Sequence, residues 1–314
     1  MEAALCAIRD DRHLRGFVPL VLAAAGTGAA FCLVNGGDPR SWICSAVASG
    51  VVFGLRRWLT GWHFNIHLMF FAVALVGCFI AVLLARNLQV ATPAVAVVAA
   101  VLFLVPGVPL INGGIDVVRN HLNMGMARLG FALAVLVALC LGVAATVSLI
   151  SAPVGSLFSP AGAWGATLVT LAGAVAAGAL ALLSNAGISV LLVCALGGAT
   201  GRLVRELATT AGLDVITATL IAAFGSTLLV SLIAERLHWP SVMLSVMAAL
   251  PMVPGYFAIA GMNALLAFAA APEADPAHLA TGLHALSRAL FISMALVVGV
   301  IGPSILLQRD KERV

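Results

Sequence analysis

The chain has 314 residues, 62% of them hydrophobic and only 9% charged, with a formal net charge of +4 and a mean hydropathy of +1.14. A water-soluble domain carries about a quarter charged residues, so these charges are too few to cover a water-facing surface, and a soluble fold is excluded. The positive balance comes from scattered arginines with no basic cluster interleaved with aromatics, which excludes a nucleic-acid partner.

A membrane span needs roughly 20 mostly apolar residues. Windows between charges and turn residues predict ten spans, near 16–35, 41–55, 66–85, 89–111, 129–150, 165–184, 186–201, 215–234, 241–259 and 283–307. The second and seventh are short, and 260–270 is ambiguous. The runs are continuous and lack the alternation of barrel strands, so the fold class is all-α and polytopic, with about ten transmembrane helices. The segment before the first run mixes Glu2, Asp10 and Asp11 with Arg9, Arg12 and Arg15. That is poor signal-peptide chemistry, so the run reads as a true first helix. Cys6, Cys32, Cys44, Cys78, Cys140 and Cys194 are scattered without a CxxC pair, which fits packing residues rather than disulfides or a metal cage.

Ten spans with a cytoplasmic N-terminus sort the cations unevenly. Arg9, Arg12, Arg15, Arg56, Arg57, Arg119, Arg128, Arg236, Arg309, Lys311 and Arg313 fall inside; Arg40, Arg86, Arg202, Arg205 and Arg288 fall outside. The positive-inside rule then places both termini in the cytoplasm. Trp42, Trp58, Trp62, Trp164 and Trp239 all stand at predicted span edges, the headgroup level that indole prefers.

The sequence also repeats itself. Val105-Pro106-Gly107 recurs as Val253-Pro254-Gly255, 148 residues on, with Ile111 matching Ile259 and Gly113 matching Gly261. Gly50-x3-Gly54 recurs as Gly197-x3-Gly201, and arginines follow both pairs: Arg56 and Arg57, then Arg202 and Arg205. The predicted organisation is a cytoplasmic segment 1–15, a five-helix repeat 16–155, a second repeat 156–308 and a tail 309–314. Five is odd, so the second repeat starts on the opposite face and the two have inverted topology. Secondary transporters share that layout, with the site at mid-membrane between repeats. The competing account is coincidental small-residue packing.

Each Val-Pro-Gly element should break its helix, because proline lacks an N–H and clashes with the preceding turn while glycine relaxes the backbone. Freed backbone groups at membrane depth survive only against protein, water or ligand. Half-helix N-termini suit a carboxylate and freed carbonyls suit an ammonium, so Pro106, Gly107, Pro254 and Gly255 are candidate substrate-binding positions; a plain packing kink is the alternative. Asn112 and Asn263 offer neutral contacts nearby. Tyr256, the only tyrosine, either binds substrate or caps a carbonyl. Asp116 is either a proton-coupling or ammonium-binding group or an interfacial carboxylate paired with Arg119 at i+3; its counterpart in the second half is Ala264. Asp214, a repeat equivalent of Asn65, either senses protons or caps a helix. His63 and His67 have i,i+4 spacing but no third ligand, so no metal is expected. No paired motif for nucleophilic catalysis, no Gly-rich phosphate loop with Lys and no HExxH is present, so neither enzymatic activity nor a cofactor is expected.

Taken together, these segments resemble the threonine/serine exporter family over nearly the whole chain. The resemblance rests on Glu2-Ala3-Ala4-Leu5, Gly36-Gly37, Gly54-Leu55-Arg56, Val105-Pro106-Gly107-Val108-Pro109-Leu110 with Asp116, Gly125 and Arg128, and Leu250-Pro251-Met252-Val253-Pro254-Gly255-Tyr256. It implies two fused membrane modules in the bacterial inner membrane and export of threonine and serine from the cytoplasm, driven by protons. Related proteins with the modules on separate chains are linked to succinate export. Family members usually begin with a longer cytoplasmic region than residues 1–15. The expected partners are threonine, serine, protons and the lipid bilayer, with a homo-oligomer left open. Arginines at membrane depth would favour a dicarboxylate, but Arg56, Arg57, Arg202 and Arg205 are predicted at span ends, where snorkelling accounts for them.

Overall fold

The structure, a computed structural model, describes residues 16–149, 164–270 and 276–311. The segment 1–15, the junction between repeats at 155/156, Cys6 and residues 2–5 lie outside the described residues. Every regular element among those described is helical: α1 (Phe17–Val34), α2 (Pro39–Gly61), α3 (Ile66–Asn87), α4 (Pro93–Leu102), α5 (Gly107–Val118), α6 (Leu122–Leu149), α7 (Ala166–Leu183), α8 (Ile188–Thr210), α9 (Val215–Arg236), α10 (Ser241–Ala249), α11 (Gly255–Ala270) and α12 (Pro276–Lys311). The chain is an all-α polytopic membrane protein. Seven of these helices are long and apolar enough to cross a bilayer, and the bent pairs α4–α5 and α10–α11 raise the number to nine. The tenth expected span is α2, which is as long as α8 but carries Arg40, Arg56 and Arg57. The ambiguous segment 260–270 is simply the continuation of α11.

The surface has the polarity of a lipid-facing bundle. Leu22, Leu83, Leu141, Leu171, Leu192 and Phe291 are exposed, while Thr27, Ser45, Ser49, Thr219, Ser226 and Thr227 are buried. Small side chains let helices approach closely, and buried hydroxyls bond backbone carbonyls. Thus Ser49 Oγ donates to Ala100 O at 3.0 Å, and Thr227 Oγ1 to Gly299 O at 3.1 Å.

The two halves match element by element. α1 and α7 have 18 residues each, α2 and α8 have 23, and α3 and α9 have 22. In each half the first three helices pack in sequence, the third packs on the last, and the broken helix is inserted among the first three. The turns agree too. A left-handed residue closes each, with Gly36 matched by Asn185, His63 by Gly212 and Gln89 by His238; Gly and Asn tolerate that conformation best. Asn65 caps α3 through His67 N–H and Leu68 N–H, just as Asp214 caps α9 through Ile216 N–H and Thr217 N–H. Gly142 of α6 lies against Phe71 and Ala74 of α3, and Gly299 of α12 lies against their counterparts Leu220 and Ala223 of α9.

Between halves, α1 packs on α7. Gly26 meets Val175 near mid-helix, and the indole N–H groups of Trp42 and Trp164 both donate to Gly37 O, at 2.7 and 2.9 Å. The end of α1 therefore lies beside the start of α7, and the two helices run antiparallel.

One feature has no match in the second half. Asp38, at the start of α2, accepts from Thr92 Oγ1 at 2.7 Å and Thr92 N–H at 3.0 Å, and from the Ser41 hydroxyl; its own N–H donates to Thr92 Oγ1 at 2.9 Å. This clamp ties the α1–α2 turn to the α3–α4 turn. Partial burial pushes the Asp38 carboxyl up, but the bonds from Ser41 and Thr92 outweigh it and hold the pKa at about 2. The corresponding residues are Gly187, Val190 and Pro240, and neither Gly187 nor Pro240 makes a side-chain cap.

Candidate functional site

The two Val-Pro-Gly elements fall in the middle of helix pairs rather than late in single spans. α4 and α5 meet at 63°, and α10 and α11 at 52°. Pro106 has φ −75° and ψ 61°, and Gly107 N–H donates to Val105 O at 2.7 Å. That is an inverse γ-turn, which replaces the bond to Phe103 O that a continuous helix would make. Gly255 N–H donates to Val253 O at 2.8 Å in the same way. Each break then opens a new helix, α5 or α11, without a side-chain cap at Pro106 and with the positive end of its dipole at the break.

The breaks face each other. A Cβ on Gly107 would stand 2.8 Å from Leu250 Cδ2, and one on Gly255 would stand 3.2 Å from Leu102 Cδ2 and Val105 Cγ2. The neighbours are themselves repeat equivalents, so the approach is symmetric, and glycine is what permits it.

Around these breaks lies a cavity of about 930 Å³. This lies in the range of about 300–1,000 Å³ usual for small-molecule sites. Both breaks line it, from Leu102 to Pro109 and from Leu250 to Phe257. Its wall includes both Leu20 and Asn35, at opposite ends of α1, roughly 22 Å apart at 1.5 Å per residue. Most of the remaining wall is again paired by the repeat, including Asn35 with Ser184, Thr60 with Thr209, Arg56 with Arg205, and Ile66 with Val215, whereas Leu20, Phe70, Phe131 and Asn185 line it without a counterpart. Two pairs break the symmetry, Phe53 with Arg202 and Arg57 with Glu206.

The arginines are the main surprise. The seventh span was expected to end at 201, but α8 continues to Thr210 and carries Arg202, Arg205 and Glu206 along one face. Arg202 is only 7% exposed, and its Nε has no hydrogen-bond partner among the described residues. Arg56 lies over the Phe70 ring at 5.5 Å, and Arg57 over Phe17 at 5.9 Å. The signal was present in the sequence: the i, i+3, i+4 spacing of Arg202, Arg205 and Glu206 repeats that of Phe53, Arg56 and Arg57, and the next turn residue is Gly212.

Of the sequence-predicted site residues, Pro106, Gly107, Pro254, Gly255 and Tyr256 line the cavity. Asn112, Asn263, Asp116 and Asp214 are not in its wall. Asn112 is half-buried on α5, and Asn263 is buried with Nδ2 donating to Ile259 O at 2.9 Å. Asp116 accepts from Arg128 Nη1 at 2.6 Å, so its partner is Arg128 of α6 and not Arg119. Asp214 is the exposed N-cap of α9; the Thr217 hydroxyl, at 2.6 Å, and the amides of Thr217 and Ile216 hold its carboxyl below the ordinary carboxylate range. His63 sits in the α2–α3 turn and His67 on α3, so the two do not share a helix face.

Comparison with known proteins agrees with this architecture. Residues 1–150 match a family model described as "Putative threonine/serine exporter", and residues 169–306 match a second, "Threonine/Serine exporter, ThrE". The chain is similar to "Probable succinate transporter subunit YjjP" of Klebsiella aerogenes, with 36% identity over 125 residues, 40% of this chain and 48% of that protein. The protein of the same name from Escherichia coli K12 is 32% identical over 144 residues, 46% of this chain and 56% of that one. The chain thus spans about half the length of these curated relatives. No solved structure matches. Two modules in tandem, each built around a broken helix and each matched by its own model, together cover most of the residues: the chain belongs to the threonine/serine exporter family.

Proposed function

We propose that this membrane transporter is a secondary exporter of small hydrophilic amino acids, threonine and serine, coupled to protons. The observation that carries the proposal is the pair of facing helix breaks inside one cavity that reaches toward both ends of α1. A substrate held there meets the N-termini of α5 and α11, which favour its carboxylate, and backbone carbonyls released by the breaks, which accept from its ammonium. The antiparallel course of α1 and α7 supports halves of inverted topology, with five spans each and both termini cytoplasmic. Rocking of one half against the other then opens the cavity to each face in turn. Asp116 is the better placed coupling group, because it lies on the arm that follows the first break and already shares its charge with Arg128.

The test is transport by the purified chain alone in proteoliposomes. Labelled threonine or serine should move when a pH gradient is imposed and stop when it is dissipated. Movement of neither would sink the substrate assignment, and movement only after adding a second chain would make this one a subunit.

A second reading, export of a dicarboxylate such as succinate, is favoured by one observation. Among the described residues, four arginines but only one carboxylate, Glu206, stand in the cavity wall. Glu206 separates the two readings. Glu206→Gln should weaken threonine transport, which needs an ammonium partner, and leave succinate transport equal or stronger.

A further inference from the structure

The C-terminal part of α8 concentrates positive charge where little compensates it. Arg202 is nine-tenths buried, lines the cavity and leaves Nε without a partner. Arg205, one turn on, feels the charges of Arg202, Glu206 and Arg288. Arg288 comes from α12, with its guanidinium 5.0 Å from the centre of the Phe257 ring, two residues into α11. Neither Arg202 nor Arg205 closes an ion pair with Glu206 among the described residues. Arg202, Arg205 and the positive end of α11 thus share one wall of the cavity, with Arg288 close enough to add to the field at Arg205, against one carboxylate among the described residues.

A buried cation without a counter-charge is costly, and at membrane depth such groups serve substrates or ions. Guanidinium is a rigid fork whose parallel N–H groups match the two oxygens of a carboxylate. The other half lacks this device, since the counterpart of Arg202 is Phe53. We propose that Arg202, backed by Arg205, binds the carboxylate of the transported molecule at the α8 wall of the cavity, and so sets the requirement for an acid. This rests on the transporter reading for its ligand, but it asks only for a carboxylate, from an amino acid or a dicarboxylate alike.

The experiment is calorimetric titration of the purified full chain with threonine, threoninamide and succinate. Threoninamide keeps the ammonium and the hydroxyl and loses only the acid. The wild type should bind threonine or succinate, and threoninamide at least about 10-fold more weakly. Arg202→Gln should weaken the carboxylate ligand by about 10- to 100-fold, as expected for loss of a charge-assisted hydrogen bond. Arg202→Lys should recover part of that loss, and Arg236→Gln, at the exposed end of α9, should match the wild type. Equal binding of threonine and threoninamide, no binding of any of the three, or wild-type affinity in Arg202→Gln would each overturn the site. The first of these comparisons needs no variant, so a misfolded substitution does not shield the idea. Carboxylate binding through Arg202 without gradient-driven transport would sink the exporter and keep the site; transport with an unaffected Arg202→Gln would do the reverse.

Discussion

Asp38 and Asp214 are both helix N-caps, yet only Asp38 bridges two turns. Its carboxyl, held at about 2 against an ordinary 3.8, binds its proton more weakly folded than unfolded. The clamp therefore contributes stability that is full above about pH 4 and is lost as pH falls towards about 2. Thermal unfolding in detergent should show this loss in the wild type, and Asp38→Asn should be less stable at pH 7 by about 1–2 kcal/mol, with a flatter acid limb. Asp214→Asn should keep its cap, because Asn65 does the same work in the other half. Its transport should keep the wild-type pH profile, whereas Asp116→Asn should flatten that profile. A flattened profile in Asp214→Asn would reassign the coupling proton.

Helix contacts that run through glycine give the elements their spacing. A methyl on Gly142 would stand 2.6 Å from Phe71 O, and one on Gly299 would stand 2.6 Å from Ala223 Cβ and 3.0 Å from Leu220 O. Backbone cannot step aside as a side-chain tip can, so Gly142→Ala and Gly299→Ala should each destabilise by roughly 1–3 kcal/mol. Gly130, with nothing within 4 Å of its added carbon, should become slightly more stable as alanine, by up to about 1 kcal/mol. Chemical denaturation of the three variants checks both signs. The elements themselves were largely legible in the sequence, because apolar runs and turn residues mark spans plainly and α1, α3, α7 and α9 lie within about two residues of expectation. What failed was the rule that a charge ends a span. It cut α2 at 55 and α8 at 201, when both run on to Gly61 and Thr210 with arginines turned toward a cavity. The breaks were legible from proline chemistry. That they face each other, and that Asn263 satisfies itself on its own helix, are properties of packing that no local pattern carries.

For the whole molecule, the expectation is that equivalent positions open to opposite sides. Thr60 and Thr209 are repeat partners on the cavity wall. In a cysteine-free background, Thr60→Cys should react with a membrane-impermeant maleimide only from the cytoplasm, and Thr209→Cys only from outside. Labelling of both from one side would rule out inverted halves. The fastening at Asp38 bears on how such halves move. A perfectly symmetric device would divide its deformation evenly, but here one hairpin pair is stapled by Thr92 and Ser41 and its twin is not. The stapled half should behave as the stator, with amides at Arg40 and Thr92 exchanging slowly with deuterium. Shear should concentrate in the other, near 184–190 and 237–241, so that the rim bearing no staple is the one that gives.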